Sequence, residues 1–513
     1  MCLAESFYVN YYNTTTVKET QTLLCASAGG LLYKGTGTGI TASATTVTLA
    51  GDRQVMAQEY LQNLYIADYG EEKAKNDTTP YAQITDATIS TVGLVDSASV
   101  ASWNAKGIVL AEDVCVVVSG TNAAVGTYKI TSVHDTNGVT LTGYTAPLDA
   151  TSCRISIMRG PKVYDPAADT LTLWHIAPTA GATSTFPLGS VPTGCPMICL
   201  YMDRLVLAGE NQWYMCRQDN VADWAYGADY TDVTRAVAST NTQAGLIGDV
   251  IRSLMPHSDD YLIFGGQSTL WMLQGDAADT GQIVALSRVC GVVDRQAWCR
   301  GPIGETIFVS QNGLYQILPG AITVPEPLSE KHIPVELQGI DRKTHEVSMV
   351  YDVHGRGVNL WVTPRATSAT THFWYDWPMK GFWPVRVAEA HDVLCCFWMP
   401  GEVESGCVFG CRDGYLRQFR DSNEYDDGAV FENYVVYGPI GLDFGGVFAE
   451  GGVVQLGASL SKAGGEASWE LRVGPTFEEC VTASPVSEGT WKAGANSPAR
   501  PRGRGKAFTL KIM

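Results

Sequence analysis

The chain has 513 residues, 45% hydrophobic and 10% aromatic, with a formal net charge of −18. That composition excludes a disordered chain, and the negative balance excludes a broad electrostatic grip on nucleic acid, though not DNA passing close by without adhering. No run of about 18 apolar residues occurs, so no membrane span is expected. The start, Met1-Cys2-Leu3-Ala4-Glu5, lacks the basic and apolar stretches of a secretory signal.

The 53 glycines mark many tight turns, and short runs rich in Thr, Val, Tyr and Trp point to strands rather than helices. In chain order, Leu64-Tyr65-Ile66-Ala67-Asp68-Tyr69-Gly70 reads as half of a hairpin whose continuation, Pro161-Lys162-Val163-Tyr164-Asp165, comes only after a long gap. The gap carries strands of its own at Glu112–Val118, Gly126–Val133 and Val139–Thr142, joined by Gly/Asn turns. They predict a small inserted barrel-like module over 82–160, serving as a contact surface or as structural decoration.

A repeated hairpin follows. Its copies are Leu205–Tyr214, Leu262–Trp271, Thr306–Tyr315 and Cys407–Leu416, with a looser one made by Val358–Val362 and Phe373–Trp377. Each copy has an apolar strand, a polar turn and a bulky apolar pair. Asn312-Gly313 and Asp413-Gly414 are expected to supply the positive-φ residues of tight turns. Copies recur about every 45 to 57 residues, the period of propeller blades. A lone hairpin cannot bury its apolar face, so radial stacking of blades is the economical solution. The competing account is a β-sandwich with similar hairpins. From about 431 the pattern changes to Tyr434–Tyr437, Trp469–Val473 and Phe508–Ile512, outside the blade register.

The expected fold is therefore all-β: a β-propeller with an inserted small β-barrel-like domain and a C-terminal antiparallel β region. Residues 1–81 hold N-terminal strands and the first half-blade, 82–160 the inserted domain, and 161–430 the blades. Residues 431–513 hold strands that close the propeller or form a platform.

Catalytic chemistry is not indicated. The 14 cysteines include the pairs Cys195/Cys199 and Cys407/Cys411, whose spacing on strands suits buried thiols better than a zinc knuckle. Free thiols in this number suggest folding in a reducing cytoplasm. His134, His175, His257, His332, His345, His354, His372 and His391 show no ligand spacing. Gly35–Gly39 precedes no helical pattern, and Asp421–Gly428 departs from a calcium loop at Tyr425 and Asp426. The basic tail of Arg500, Arg502, Arg504 and Lys506 suits a solvated or intersubunit segment better than a phosphate site. No catalytic, cofactor-binding or metal residue is assigned, and no cofactor is expected.

Tyr201-Met202-Asp203-Arg204-Leu205-Val206-Leu207-Ala208-Gly209 resembles a Y-x-x-R-L-x-x-A/S-G stretch of propeller proteins in short-tailed double-stranded DNA bacteriophages. Arg217–Trp224, the hairpins at Leu262–Leu273 and Gly304–Tyr315, and the closing Arg502-Gly503-Arg504-Gly505 resemble further elements of those proteins. The resemblance is to the tail nozzle (tail tubular or tail hub) family. It covers most of 160–513 and the first 60 or so residues, not the inserted module. It implies a virion structural protein rather than an enzyme, folded in the host bacterial cytoplasm and placed in the tail. Such a protein forms a homo-oligomeric ring, usually a hexamer, below the portal and adaptor. The ring continues the DNA channel without binding DNA specifically, retains the genome until ejection, and carries fibres or spikes. The main rival is a glycan-binding or glycan-cleaving propeller of a tail or cell surface, although the sequence contains no sialidase-type S-x-D-x-G-x-x-W turn. A second rival, a protein-binding propeller of the WD-repeat kind, lacks its signatures here.

Overall fold

The computed structural model describes residues 6–13, 18–26, 30–35, 40–42, 47–49, 54–68, 84–135, 138–176, 189–226, 231–320, 324–329, 337–338, 340–366, 371–388, 391–399, 405–419, 427, 434–441, 443–444, 447–462 and 464–513. Among them strands dominate, and one short α-helix occurs, Phe477–Thr482. The fold class is all-β. The chain separates into two units, Met1–Phe419 and Arg420–Met513.

Seven antiparallel sheets and one closed barrel make up the described part of the first unit. The first sheet is Ser6–Asn13, Lys18–Ala26, Leu32–Gly35 and Ile40–Ala42; the second is Met56–Tyr60, Asn63–Ala67, Lys162–Asp165 and Thr170–Leu173. The third comprises Met197–Tyr201, Arg204–Ala208, Trp213–Met215 and Val237–Ala238. Ile251–Ser258, Tyr261–Gly266, Leu270–Gln274 and Gln282–Ser287 form the fourth. The fifth is Trp298–Arg300, Thr306–Ser310, Gly313–Ile317 and Glu326–Pro327. His345–Asp352, Gly357–Pro364, His372–Asp376 and Gly381–Val385 make the sixth, and Val393–Met399, Gly406–Cys411 and Leu416–Gln418 the seventh. The repeated hairpin is the second and third strand of a sheet, as in the pairing of Phe308 with Tyr315 and of Val358 with Tyr375.

Central sheets bury both faces, so their strands read as unbroken apolar runs rather than half-buried alternation. In the fourth sheet Leu262 and Phe264 enter one core with Trp213 and Leu205, whereas Ile263 enters another with Phe308 and Leu360. In the sixth, Met349 and Leu360 share a core with Phe308 of the fifth, while Val350 and Trp361 meet Phe409 of the seventh. Leu32 of the first sheet packs with Leu64, Ile66 and Tyr164 of the second. The core is therefore a series of wedges between consecutive sheets.

The circuit also closes. Strand Ser6–Asn13 lies against both Met56–Tyr60 and Val393–Met399, and Gln54 Nε2 donates to Leu394 O at 2.5 Å across 340 residues. Polar side chains cross other gaps. Tyr201 Oη donates to Asp260 O (2.8 Å) and Gly275 O (3.0 Å) of the fourth sheet's turns. Fully buried Arg204 pairs with Asp276 at 2.9 Å and donates to the carbonyls of Cys216, Val233, Thr234 and Arg235. The Tyr and Arg of the Y-x-x-R-L stretch thus fasten one sheet to the next, and Arg204 pins both ends of the long 216–235 connection. His257 repeats the device between the fourth and fifth sheets, bonding Thr306 Oγ1 through Nδ1 (2.8 Å) and Leu318 O through Nε2 (3.1 Å).

Between the paired strands Asn63–Ala67 and Lys162–Asp165, a six-stranded barrel closes over Ile84–Arg159. Besides the three strand regions evident in the sequence it uses Ile84–Ile89, Leu94–Asp96 and Ala150–Arg159. Trp103, Cys115, Tyr128 and Ile157 fill its interior.

Turn chemistry differs from expectation. In Asn312-Gly313 and Asp413-Gly414 only the glycine has positive φ, 122° and 89°. Two consecutive residues of that kind occur instead at Leu61-Gln62 and Met202-Asp203, between the first and second strands of the second and third sheets. Ladder pairing on both sides holds these non-glycine residues in the left-handed region.

In the second unit, Val435–Gly441, Ala507–Ile512, Ala467–Gly474 and Pro485–Trp491 form a sheet in that spatial order. Trp469 and Trp491 pack at 5.8 Å between ring centres. Gly503 and Gly505 of the closing motif lie so close to Val473 that an added Cβ would stand 2.9 and 2.3 Å from its methyl carbons. The alternating glycines let this strand cross the apolar face, while Arg502 and Arg504 stay exposed.

The sheet-to-sheet anchors can be tested by unfolding. Arg204→Ala leaves Asp276 and four carbonyls without their donor, and urea unfolding should show a loss of about 3 kcal/mol. Burial holds the His257 imidazole below its ordinary range of about 6.5, against the opposing pull of the Leu318 carbonyl. The unfolded chain then binds the proton more tightly, so stability should fall as pH drops below about 6.5. His257→Gln should flatten that slope in urea midpoints taken between about pH 5 and 7.5.

Candidate functional site

In the first unit, first strands of neighbouring sheets line an open cavity of about 910 Å³. Its walls come from Trp298–Arg300 of the fifth sheet, Ser348–Tyr351 of the sixth, Cys396–Trp398 of the seventh and Met56 of the second. Exposure separates floor from mouth. Met56, Gln296, Ser348, Val350 and Cys396 are buried, whereas Arg300, Pro302, Val353 and Arg356 are exposed. Trp298, Trp377 and Trp398 are half-buried between these limits.

Several contacts fix this lining. Arg300 Nη2 donates to Pro256 O at 2.7 Å. The Lys380 ammonium sits 4.0 Å from the Trp377 ring centre, and Trp398 lies 5.3 Å from His354. Burial, followed by the Glu305 carboxylate, pushes the Tyr351 hydroxyl up; Arg356 opposes them. On the floor, Ser348 Oγ and Cys396 Sγ are 3.0 Å apart. Gln296 is 5% exposed, and its amide nitrogen and oxygen, both closed to solvent, have no hydrogen-bond partner among the described residues.

A second polar cluster sits at the root of the barrel. Lys162 and Asp68 are fully buried and in direct contact. Arg159 reaches Asp68 at 3.3 Å and Glu112 at 2.8 Å, and its Nη2 also donates to Thr48 O at 2.6 Å. Glu112 accepts from Thr48 N (2.6 Å) and Oγ1 (2.8 Å). Burial pulls the Lys162 ammonium down, and Asp68 beside it pulls the other way. Two cations and two carboxylates satisfy one another where the barrel joins the second sheet. This is a buried four-charge clamp.

Of the other candidates raised by the sequence, His354 stands beside Trp398 at the cavity, and the remaining described ones lie apart from both centres or deep in the cores. Cys195, Cys199, Cys407 and Cys411 are buried thiols in no disulfide. Burial pushes the Cys115 and Cys195 thiols up to about 12, the opposite of activation. His372 and Asp392 are sealed from solvent with Nε2 and Oδ1 3.5 Å apart, beneath Trp361. His134 is exposed on the barrel beside Ser132 and Thr140. His345 bonds the Asp341 turn, and exposed His354 bonds Ser405. His175 and His391 are half-buried. His332, residues 36–39 and, apart from Asp427, the Asp421–Gly428 segment lie outside the described residues. In the basic tail Arg504 pairs with Glu450 at 3.3 Å. Among the described residues no group of three or more His, Cys, Asp or Glu side chains could hold a metal ion.

The cavity escapes sequence reasoning because its walls come mainly from first strands and connecting loops, and only Trp377 belongs to a copy of the repeated hairpin. The available signal is the tryptophan count of 13, several of them outside the repeat.

The clamp gives a direct test. Asp68→Ala and Lys162→Ala should each cost about 3 kcal/mol in urea unfolding, because each strands a buried charge. The double variant should cost less than the sum by about 2 kcal/mol.

No family model matches the chain, and no curated protein matches it. Among solved structures, the extracellular domain assigned to a one-component system of B. thetaiotaomicron aligns at 9% identity and a TM-score of 0.29, over 82% of this chain and 51% of that one. PorZ, a surface component of the type-IX secretion system of Porphyromonas gingivalis, aligns at 12% and 0.29 over 97% and 65%. A GH74 enzyme of Niastella koreensis aligns at 11% and 0.23 over 76% and 71%. The chain spans about half the length of the first of these. Likeness at this level identifies neither a family nor an activity.

Proposed function

We propose that this chain is a virion structural protein, the nozzle of a short bacteriophage tail, with its sheets serving as the blades of a propeller. One observation carries the reading: the barrel is mounted on a closed circuit of sheets through a buried four-charge clamp. An inserted module held in this way keeps a fixed direction relative to its base, as a ring subunit requires for a lateral contact or a fibre platform. The set of nozzle-like motifs supports the same reading. Tyr201 and Arg204 spend their polar groups on fastening sheets together, a structural use rather than a catalytic one.

In this proposal a homo-oligomeric ring, a hexamer, sits below the portal and adaptor in the virion tail. It continues the DNA channel, retains the genome until ejection and carries fibres or spikes. Six copies carry six times −18, or −108, formal charges. A channel wall of that sign repels phosphate, so DNA slides without being trapped. The chain acts without cofactor or catalysis.

Native mass spectrometry and electron microscopy of the purified chain with its portal test this. A six-fold ring with an axial channel is expected. A stable monomer that hydrolyses oligosaccharide, or a ring whose channel is lined mainly by Lys and Arg, overturns it.

A further inference from the structure

We propose that the cavity at the first strands of the fifth, sixth and seventh sheets binds a short acidic saccharide, a few pyranose rings bearing a carboxylate. The wall of this cavity is sheet edge. Ser348, Met349, Val350 and Tyr351 are consecutive and all line it, although Met349 turns to the core shared with the fifth sheet and Val350 to the core shared with the seventh. A volume that meets four residues in a row runs along the edge of their strand. Trp298–Arg300 and residues 396–398 line it in the same way, and each of the three strands is the edge strand of its sheet. An edge offers backbone N–H and C=O groups that no ladder uses. Cys396 N already donates to Ser348 Oγ at 3.0 Å in this manner. Donors and acceptors in alternation suit sugar hydroxyls, each of which can give and take a hydrogen bond.

The side chains narrow the class. Trp298, Trp377, Trp398 and Tyr351 bring flat aromatic rings to one volume, and such rings suit the C–H faces of a pyranose. Two guanidiniums, Arg300 and Arg356, line the cavity, and no carboxylate does. Arg300 is held by the bond from Nη2 to Pro256 O, which leaves the rest of its fork for a ligand. Among the described residues nothing pairs with or hydrogen-bonds the Arg356 guanidinium. Glu305 and Asp352, whose charges reach Tyr351, stand outside the lining and are engaged by backbone N–H groups. Glu305 Oε2 accepts from Ile303 N at 2.9 Å, and Asp352 Oδ1 from His354 N and Gly355 N at 2.9 and 3.0 Å. A guanidinium fork matches a planar carboxylate. The chain as a whole carries −18 and repels a dense polyanion, so the site selects sparse charge on a sugar rather than nucleic acid. An acidic peptide would lay its backbone along one edge. Three short edges from three sheets favour a compact ring with hydroxyls on every side. The volume, about 910 Å³, admits a short chain of rings.

The test uses the full chain with trigalacturonate and sialyllactose as acidic probes, lactose as the neutral one and hexaglutamate as an acidic peptide. Isothermal titration and tryptophan emission should show at least one acidic saccharide binding with a Kd below about 1 mM, about tenfold or more tighter than lactose. Its affinity should fall as salt rises from about 0.02 to about 0.5 M. Arg356→Gln should weaken binding about tenfold and leave the urea midpoint unchanged, because the guanidinium has no partner among the described residues. Trp377→Leu, at a half-buried position, should weaken it at least as much. Failure of both acidic saccharides to bind at about 10 mM overturns the inference. So does lactose or hexaglutamate bound as tightly as they are, or full affinity in Arg356→Gln. Should Trp377→Leu fail to fold, Arg356→Gln decides alone. The cavity lies within one copy, so the ring is not required. A ring that binds no acidic sugar removes this site and leaves the nozzle reading intact; a stable monomer that binds one does the reverse.

Discussion

Everything in the first unit depends on sheets sharing their faces. A four-stranded meander has two apolar faces and cannot hide either alone, so each sheet takes its neighbours as solvent shield. The fourth sheet shows the constraint most clearly. Leu262, Ile263 and Phe264 are consecutive, all buried, and divided between two cores. Moving such a sheet would open two wedges at once. That coupling explains why so many polar anchors, from Tyr201 and Arg204 to His257 and Gln54, run between sheets rather than within them. Apolar wedges supply the attraction, and the directional bonds set its registry.

Much of this was legible in the sequence, for a physical reason. Hairpins carry their turn chemistry locally, and strands buried on both faces carry unbroken apolar runs, so Leu205–Leu207 and Ile307–Val309 stand out without any knowledge of their neighbours. What sequence could not supply was anything decided by contact between distant segments. The barrel strand Ala150–Arg159 mixes Thr, Ser and Arg with its isoleucines because only one side of a barrel wall faces inward. The paired positive-φ turns fall at Leu61-Gln62 and Met202-Asp203, where bulky residues conceal the conformation that tertiary pairing imposes. The first sheet, Ser6–Ala42, lies outside the hairpin repeat altogether. The candidate site was least legible of all. Gln296 and the tryptophans around it come from different sheets and their connections, and only the closed circuit brings them to one volume.

The two polar centres show how similar chemistry can serve opposite ends. At the barrel root, Asp68, Glu112, Arg159 and Lys162 exhaust one another's charge, and the result is rigidity. At the cavity wall, Gln296 has no partner among the described residues and both ends of its amide are closed to solvent, so the result is a local cost.

The split hairpin has a consequence for the order in which the chain can fold. Lys162 must find Asp68 across 94 residues. Closing a flexible loop of that length costs about 4 kcal/mol in chain entropy. If the barrel forms first from its own local contacts, that cost is met within the barrel, and Arg159 arrives already beside its partners. The second sheet then zips as though it were an ordinary hairpin. The circuit as a whole obeys a different clock, because Gln54 meets Leu394 only after the seventh sheet has left the ribosome. Until then the seam of the circuit stays open, whereas all six strands of the barrel are available as soon as Arg159 has been made.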